Sequence, residues 1–377
     1  MNKSSFVICI IFSLFVSIAF IAGCGTVEKN ALTTVSANPT DHISTVDASA
    51  DAGRFTSLKL DSAGMPHICY MSSYESSGTI HNDLKYTTWD GITWETETVD
   101  SSSLVNNFIS LALDGNNRPR ISYYDGNSQV LKYASKTGAS WNIKTADPTA
   151  DAGQYSSLAI DGAGNPHISY YNASDTVLRY ASLEGTEWDI STADATAGVG
   201  QYTSLALDSA GNPHISYYDA SNTVLNYASL EGTEWDISTA DATAGVGQYT
   251  SLALDSAGNP HISYFHATNH TVDYVSWESS AWATPVAVSG VSNDADGYLS
   301  LALDSRGQPH ICYHDYIDGI LKYATEESGS FIPVVVDNGA VGTYDAGQYC
   351  SIALDNSGKP RISYYDATDK VLKYYWQ

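Results

Sequence analysis

The block Ser204-Leu-Ala-Leu-Asp208-Ser-Ala-Gly211-Asn-Pro213-His-Ile-Ser-Tyr217 recurs, with substitutions, seven times along the chain. Its first serine stands at Ser57, Ser110, Ser157, Ser204, Ser251, Ser300 and Ser351, at intervals of 47 to 53 residues. Residues 180–217 and 227–264 are identical, which points to a recent duplication. A repeat of this length made of short strands predicts one propeller blade. Seven of them predict an all-β, seven-bladed β-propeller over residues 42–377.

Each repeat reads as four antiparallel strands, A to D, with period-2 alternation and β-branched or aromatic residues. In the A–B turn an Asp (Asp61, Asp114, Asp161, Asp208, Asp255, Asp304, Asp355) is followed five residues later by Pro. The third residue after it is Gly, or Asn117 once. Such an Asp caps backbone N–H groups of its own turn, Gly or Asn takes a left-handed conformation, and Pro opens strand B. This sevenfold acidic ring is therefore structural. The last repeat ends before any strand D, while His42-Ile-Ser-Thr-Val-Asp47 matches Asp189-Ile-Ser-Thr-Ala-Asp194. The first strand is expected to complete the last blade and remove its open edge.

Ahead of the repeats, Lys3 and the apolar run Phe6–Ile21 read as a secretory signal over residues 1–23. Ile21-Ala22-Gly23-Cys24 resembles the lipobox of bacterial lipoproteins. The resemblance implies that Cys24 is acylated, with chains such as palmitate, and that residues 24–41 tether an exported protein to the cell envelope. It also implies an outer-membrane address in a Gram-negative cell. The chain has 17 Lys+Arg against 42 Asp+Glu, a net charge of −25. That field disfavours nucleic acid and anionic lipid as partners, since both need a basic surface, and leaves the lipid anchor as the expected membrane contact. Cys69, Cys312 and Cys350 remain beyond the anchor, allow one internal disulfide at most, and read as small buried residues.

The block around Leu205–Asp219 resembles an NHL-type repeat, which implies that strand A is innermost. A sialidase reading fails on the residues: Asp208 to Gly211 is one residue too long for that family's Asp-box and no Trp follows. Of the six arginines, Arg118, Arg120, Arg306 and Arg361 fall in A–B turns or at strand B starts of blades 2, 6 and 7, from which an arginine triad facing one pocket is hard to assemble.

Function is sought where the repeats differ. The A–B and C–D connections keep constant length, whereas the opposite face holds every insertion: Met71–Lys85 in blade 1 and the D–A loops after Val288 and Asp337. The same sector carries Glu75, His81, Asp83, His266, His270, Asp294, Asp296, His314, Asp315 and Asp318. Imidazoles and carboxylates on one rim are groups that could hold a divalent cation such as Ca2+ or act as acid and base. Solvated loop side chains are the favoured reading; no spacing names a metal, and no cofactor is predicted. A second set, Phe55, Phe108, Tyr155, Tyr202, Tyr249, Tyr298 and Tyr349, is aromatic in all seven repeats just before strand A. Inter-blade packing is favoured there, and platforms for sugar rings are the functional alternative. His67, His167, His214, His261 and His310, replaced by Arg120 and Arg361 in two blades, are expected to donate to a neighbouring blade's acidic turn.

The expected molecule is a monomeric, exported, non-catalytic binding module for a glycan or an envelope protein. The alternatives are a glycosidase or lyase on the blade 5–6–7–1 rim and a protein-assembly lipoprotein.

Overall fold

The computed structural model describes residues 42–49, 51–102, 104–288, 295–338 and 345–377. The signal span, Cys24, its tether up to residue 41 and Asp294 lie outside them. Seven separate antiparallel sheets form, one per repeat. Blade 4 is typical, with A Val199–Leu207, B Pro213–Asp219, C Val224–Glu231 and D Glu234–Asp241 in spatial order A-B-C-D. Blade 5 departs at its outer edge, where D is broken into Ala281–Trp282 and Val286–Ala287. Blade 7 takes Ala346–Leu354, Pro360–Asp366 and Val371–Trp376 from the end of the chain, and its fourth strand is His42–Asp47. His42 lies opposite Trp376 and Ser44 opposite Tyr374. The ring is closed as the repeat count requires.

The A–B turns follow the expected chemistry. Asp208 Oδ1 accepts from the N–H groups of Ala210 and Asn212, both at 2.8 Å, and Gly211 and Asn117 have φ of +87° and +59°. The strand-B histidines depart from expectation. Each lies beside the Asp of its own blade's turn, as His167 Nε2 does at 3.5 Å from Asp161. Arg120 and Arg361 pair with Asp114 and Asp355 of their own blades at 2.7 and 2.6 Å. The histidine Nδ1 meets the strand-C tyrosine hydroxyl of the same blade. The turn and its strand-B partner therefore form one intrablade unit, because the Asp lies only six residues from the B residue on the same hairpin.

What joins blades is a different set. The repeat's serine accepts a hydrogen bond through Oγ from the backbone N–H of strand A in the next blade. This occurs at all seven interfaces, from Leu111 to Ser57 round to Leu58 to Ser351, at 3.0–3.3 Å. Strand A is thus innermost, as the NHL-type resemblance implies. The fully buried strand-B tyrosines donate to the Asp ending strand D of the preceding blade. Tyr123, Tyr170, Tyr217, Tyr264 and Tyr364 reach Asp100, Asp147, Asp194, Asp241 and Asp337. Tyr70 reaches Asp47 in the closing strand in the same way, at 2.5 Å. Strand-C tyrosines meet the next blade's strand-D tryptophan edge-on, as Tyr180 meets Trp235 with centroids 5.4 Å apart.

Candidate functional site

Strand A is longer than its sequence pattern suggested, and the seven aromatic residues lie inside it. In blade 4 the A–B ladder runs from Val199 but skips between Gln201 and Ser204, so Tyr202 sits in a bulge. Its φ is +55°, and Phe55, Phe108, Tyr155, Tyr249 and Tyr349 share that left-handed conformation. Bulky residues avoid this region at a cost of about 1–3 kcal/mol each, which only a surrounding structure can hold. Blade 6 differs: Gly297 takes the positive φ, at +91°, and Tyr298 follows it. A Cβ on Gly297 would lie 2.4 Å from the ring of Tyr249, so glycine is required for that ring to sit there.

The bulges turn the seven rings onto one another. Neighbouring centroids lie between 3.9 Å (Phe108–Tyr155) and 6.4 Å (Phe55–Phe108), and the series closes with Tyr349 against Phe55 at 4.2 Å. The rings pack between blades and at the same time wall a cavity of about 230 Å³ at the channel mouth. Burial pushes up the phenols of Tyr155, Tyr249 and Tyr298 and takes that of Tyr202 to about 12. They remain protonated donors rather than bases.

Beside Tyr298, with ring centroids 6.2 Å apart, stands His314. It is 2% exposed, with Nδ1 2.8 Å from Asp296 Oδ2 and Nε2 3.0 Å from Asp345 Oδ1. The first contact is a hydrogen bond; the second is an ion-pair contact with poorer alignment. Burial alone would lower this imidazole's pKa, but the two carboxylates outweigh it and push it up to about 9. His314 is a fixed cation at neutral pH, with neither ring nitrogen free as a base.

The other predicted rim residues do not join this cluster. The Met71–Lys85 segment is not a loop: strands Pro66–Ser76 and Thr79–Trp89 run on as a hairpin to a tight turn at Ser77-Gly78. There His81 stacks on Tyr74 at 5.0 Å, Asp83 is buried 3.7 Å from Lys85, and Glu75 is exposed. His266 bonds Asp273 at 2.9 Å inside blade 5, and His270 is an exposed turn residue. Asp315 pairs with Lys322 and accepts from the N–H groups of Ile317 and Asp318, so it and Asp318 belong to the B–C turn. Among the described residues no group of three or more His, Cys, Asp or Glu could hold a metal ion.

Sequence reasoning missed Asp345 and Asp273. Asp345 opens an Asp-Ala-Gly triplet that recurs at Asp51 and Asp151. Those two accept from Tyr365 and Tyr124 of the preceding blade. His314 occupies the same strand-B position as those tyrosines, so the triplet was the available signal.

The cluster sets a pH dependence. His314 titrates near 6.5 when unfolded and at about 9 when folded, so its contribution is whole below pH 6.5 and disappears as pH rises to 9. It amounts to about 3 kcal/mol. Burial lowers the pKa of the five strand-B histidines, so stability also falls as pH drops below 6.5. Thermal midpoints measured from pH 5 to 9.5 are expected to peak near 6.5. His314→Tyr, which installs the residue of sister blades, should flatten only the alkaline limb; an unchanged limb would show that the ion pair contributes nothing.

The sequence matches no protein-family model and no curated protein. Solved structures share the fold. A polysaccharide lyase of family PL25, an ulvan lyase, aligns with TM-score 0.63 and 12% identity over 86% of this chain and 94% of its own. A lectin of Aleuria aurantia in complex with Fucα1-6GlcNAc aligns at 0.52 and 12%, over 78% and 98%. An α-L-arabinanase of Penicillium chrysogenum with arabinobiose aligns at 0.52 and 9%, over 90% and 98%. At these identities the likeness is one of fold.

Proposed function

We propose that this chain is an exported, lipid-anchored propeller that binds a carbohydrate at the aromatic mouth of its central channel. The observation that carries the reading is the closed ring of seven aromatics, six held at positive φ, around a cavity of about 230 Å³. Strain at six symmetric positions is stored where a rigid surface is useful. Aromatic faces take the apolar face of a sugar ring, and the protonated phenols donate to its hydroxyls. Asp296 and Asp345 at the rim and a net charge of −25 oppose polyanionic chains, so a neutral sugar is the expected ligand.

The second reading is a lyase or glycoside hydrolase at the same mouth. Its support is that the ulvan lyase and the arabinanase share this fold, together with Tyr298 in the cavity wall, whose protonated phenol is a group of the kind that donates to a leaving oxygen. A glycan array separates the readings when its hits are re-incubated with the protein. Binding with hits recovered intact supports the first. Release of reducing ends, or of unsaturated uronates absorbing in the ultraviolet, transfers the site to the second. An array with no hits counts against both and favours an envelope-protein partner.

A further inference from the structure

We propose that Cys312 and Cys350 are joined as a disulfide that bolts blade 6 to blade 7 in the wall of the channel mouth. The repeats supply their own control. At four interfaces a hydroxyl in the middle of strand B meets a hydroxyl on strand A of the next blade, just after the mouth aromatic. Ser122 meets Ser156 at 3.0 Å, Ser169 meets Thr203 at 2.8 Å, Ser216 meets Thr250 at 2.7 Å, and Ser363 meets Thr56. Cys312 and Cys350 occupy the same two positions between blades 6 and 7.

Their Sγ atoms lie 3.0 Å apart, closer than unbonded sulfurs rest, and the side chains are 0% and 5% exposed. Both members of one pair have changed to cysteine, which drift at single sites would not require. Cys69 tests the pattern, since it holds the strand-B position in blade 1 but faces Ile109 in blade 2. It has no thiol opposite it and stays reduced. The interface before blade 6 has also lost this latch, because Leu299 stands opposite Ser263. A covalent link on the other side of blade 6 holds that blade, and with it Tyr298, His314 and the cavity wall, in the ring.

The reaction is a thiol–disulfide exchange with a disulfide-bearing oxidant of the export compartment. One cysteine thiolate attacks the oxidant's disulfide and releases its first thiolate. The second cysteine thiolate attacks the resulting mixed disulfide and releases the other. Two thiol protons leave, the two cysteines lose two electrons, and the oxidant becomes a dithiol. Both side chains are buried in the folded ring, out of reach of an oxidant, so the exchange belongs before blades 6 and 7 dock.

The test is a non-reducing peptide map of the full chain, exported to an oxidising compartment and alkylated on denaturation. The expected result is one cross-linked peptide joining Cys312 to Cys350, lighter than the two reduced peptides by two hydrogens, with Cys69 alkylated. Alkylated Cys312 and Cys350, or a link through Cys69, would overturn the proposal. Reduction should lower the thermal midpoint by roughly 3–8 °C. A Cys312→Ser, Cys350→Ser double variant, which restores the hydroxyl pair, should lose that response. A reductant effect equal to the wild type's in the double variant would overturn the assignment as well.

Discussion

Deleting His42–Asp47 is expected to lower the thermal midpoint by roughly 10–15 °C and to broaden the unfolding transition. The six residues pair with Val371–Trp376 along the outer edge of blade 7. Val46 packs on a cluster that contains Trp94, Tyr374 and Trp376, and Asp47 takes the hydroxyl of the fully buried Tyr70 in blade 1. Removing the strand uncovers apolar side chains and leaves a buried phenol without its acceptor. It also exposes an unpaired edge, the kind of surface that recruits other chains. Calorimetry and light scattering would check both effects. A truncated chain with the full-length midpoint would mean that the ring is held by its inner strands alone.

Asp147→Ala is the point substitution with the largest expected cost, about 3–5 kcal/mol by chemical denaturation. Asp147 is 0% exposed; it accepts the Tyr170 hydroxyl of the next blade at 2.6 Å and the Thr149 N–H at 2.8 Å. The Arg179 guanidinium lies 3.8 Å away on the same blade as Tyr170. Alanine leaves a buried phenol and a cation facing a void at the interface of blades 2 and 3. Asp147→Asn keeps an acceptor for Tyr170 and should cost less than half as much. Equal costs for the two variants would assign the effect to lost packing volume rather than to the interblade hydrogen bond.

The architecture was legible because each repeat carries its own turn chemistry. The spacing from Asp208 to Pro213, with Gly211 between, specifies a tight A–B turn with no reference to any other part of the ring. The missing last strand D and the His42–Asp47 match specify closure. Contacts between blades were not legible to the same degree. Ser204 marked the repeat, but its role lies in a bond to Leu252, 48 residues away, which no local pattern announces. The histidines were assigned across the blade boundary when their partner was on their own hairpin. The blade 1 insertion looked like a loop, yet its alternating residues extend two paired strands past the sheet. At the mouth, aromatic identity at seven positions was visible. The bulge that swings those rings together depends on backbone conformation, which residue type does not reveal. His314 was picked out for its chemistry, while its second carboxylate, Asp345, comes from the next blade and needed the ring to be assembled.

The claim that the channel mouth is the ligand site is tested most directly by titration calorimetry. The best array ligand would be titrated into the wild type and into a Tyr202→Gly, Tyr249→Gly double variant. Glycine accepts the positive φ of both positions, 55° and 52°, so the variant loses two rings while the bulges keep their conformation. The expected result is binding roughly 50-fold weaker, with the fold retained by circular dichroism. Unchanged affinity in a folded double variant would contradict the account and move the ligand site away from the aromatic ring.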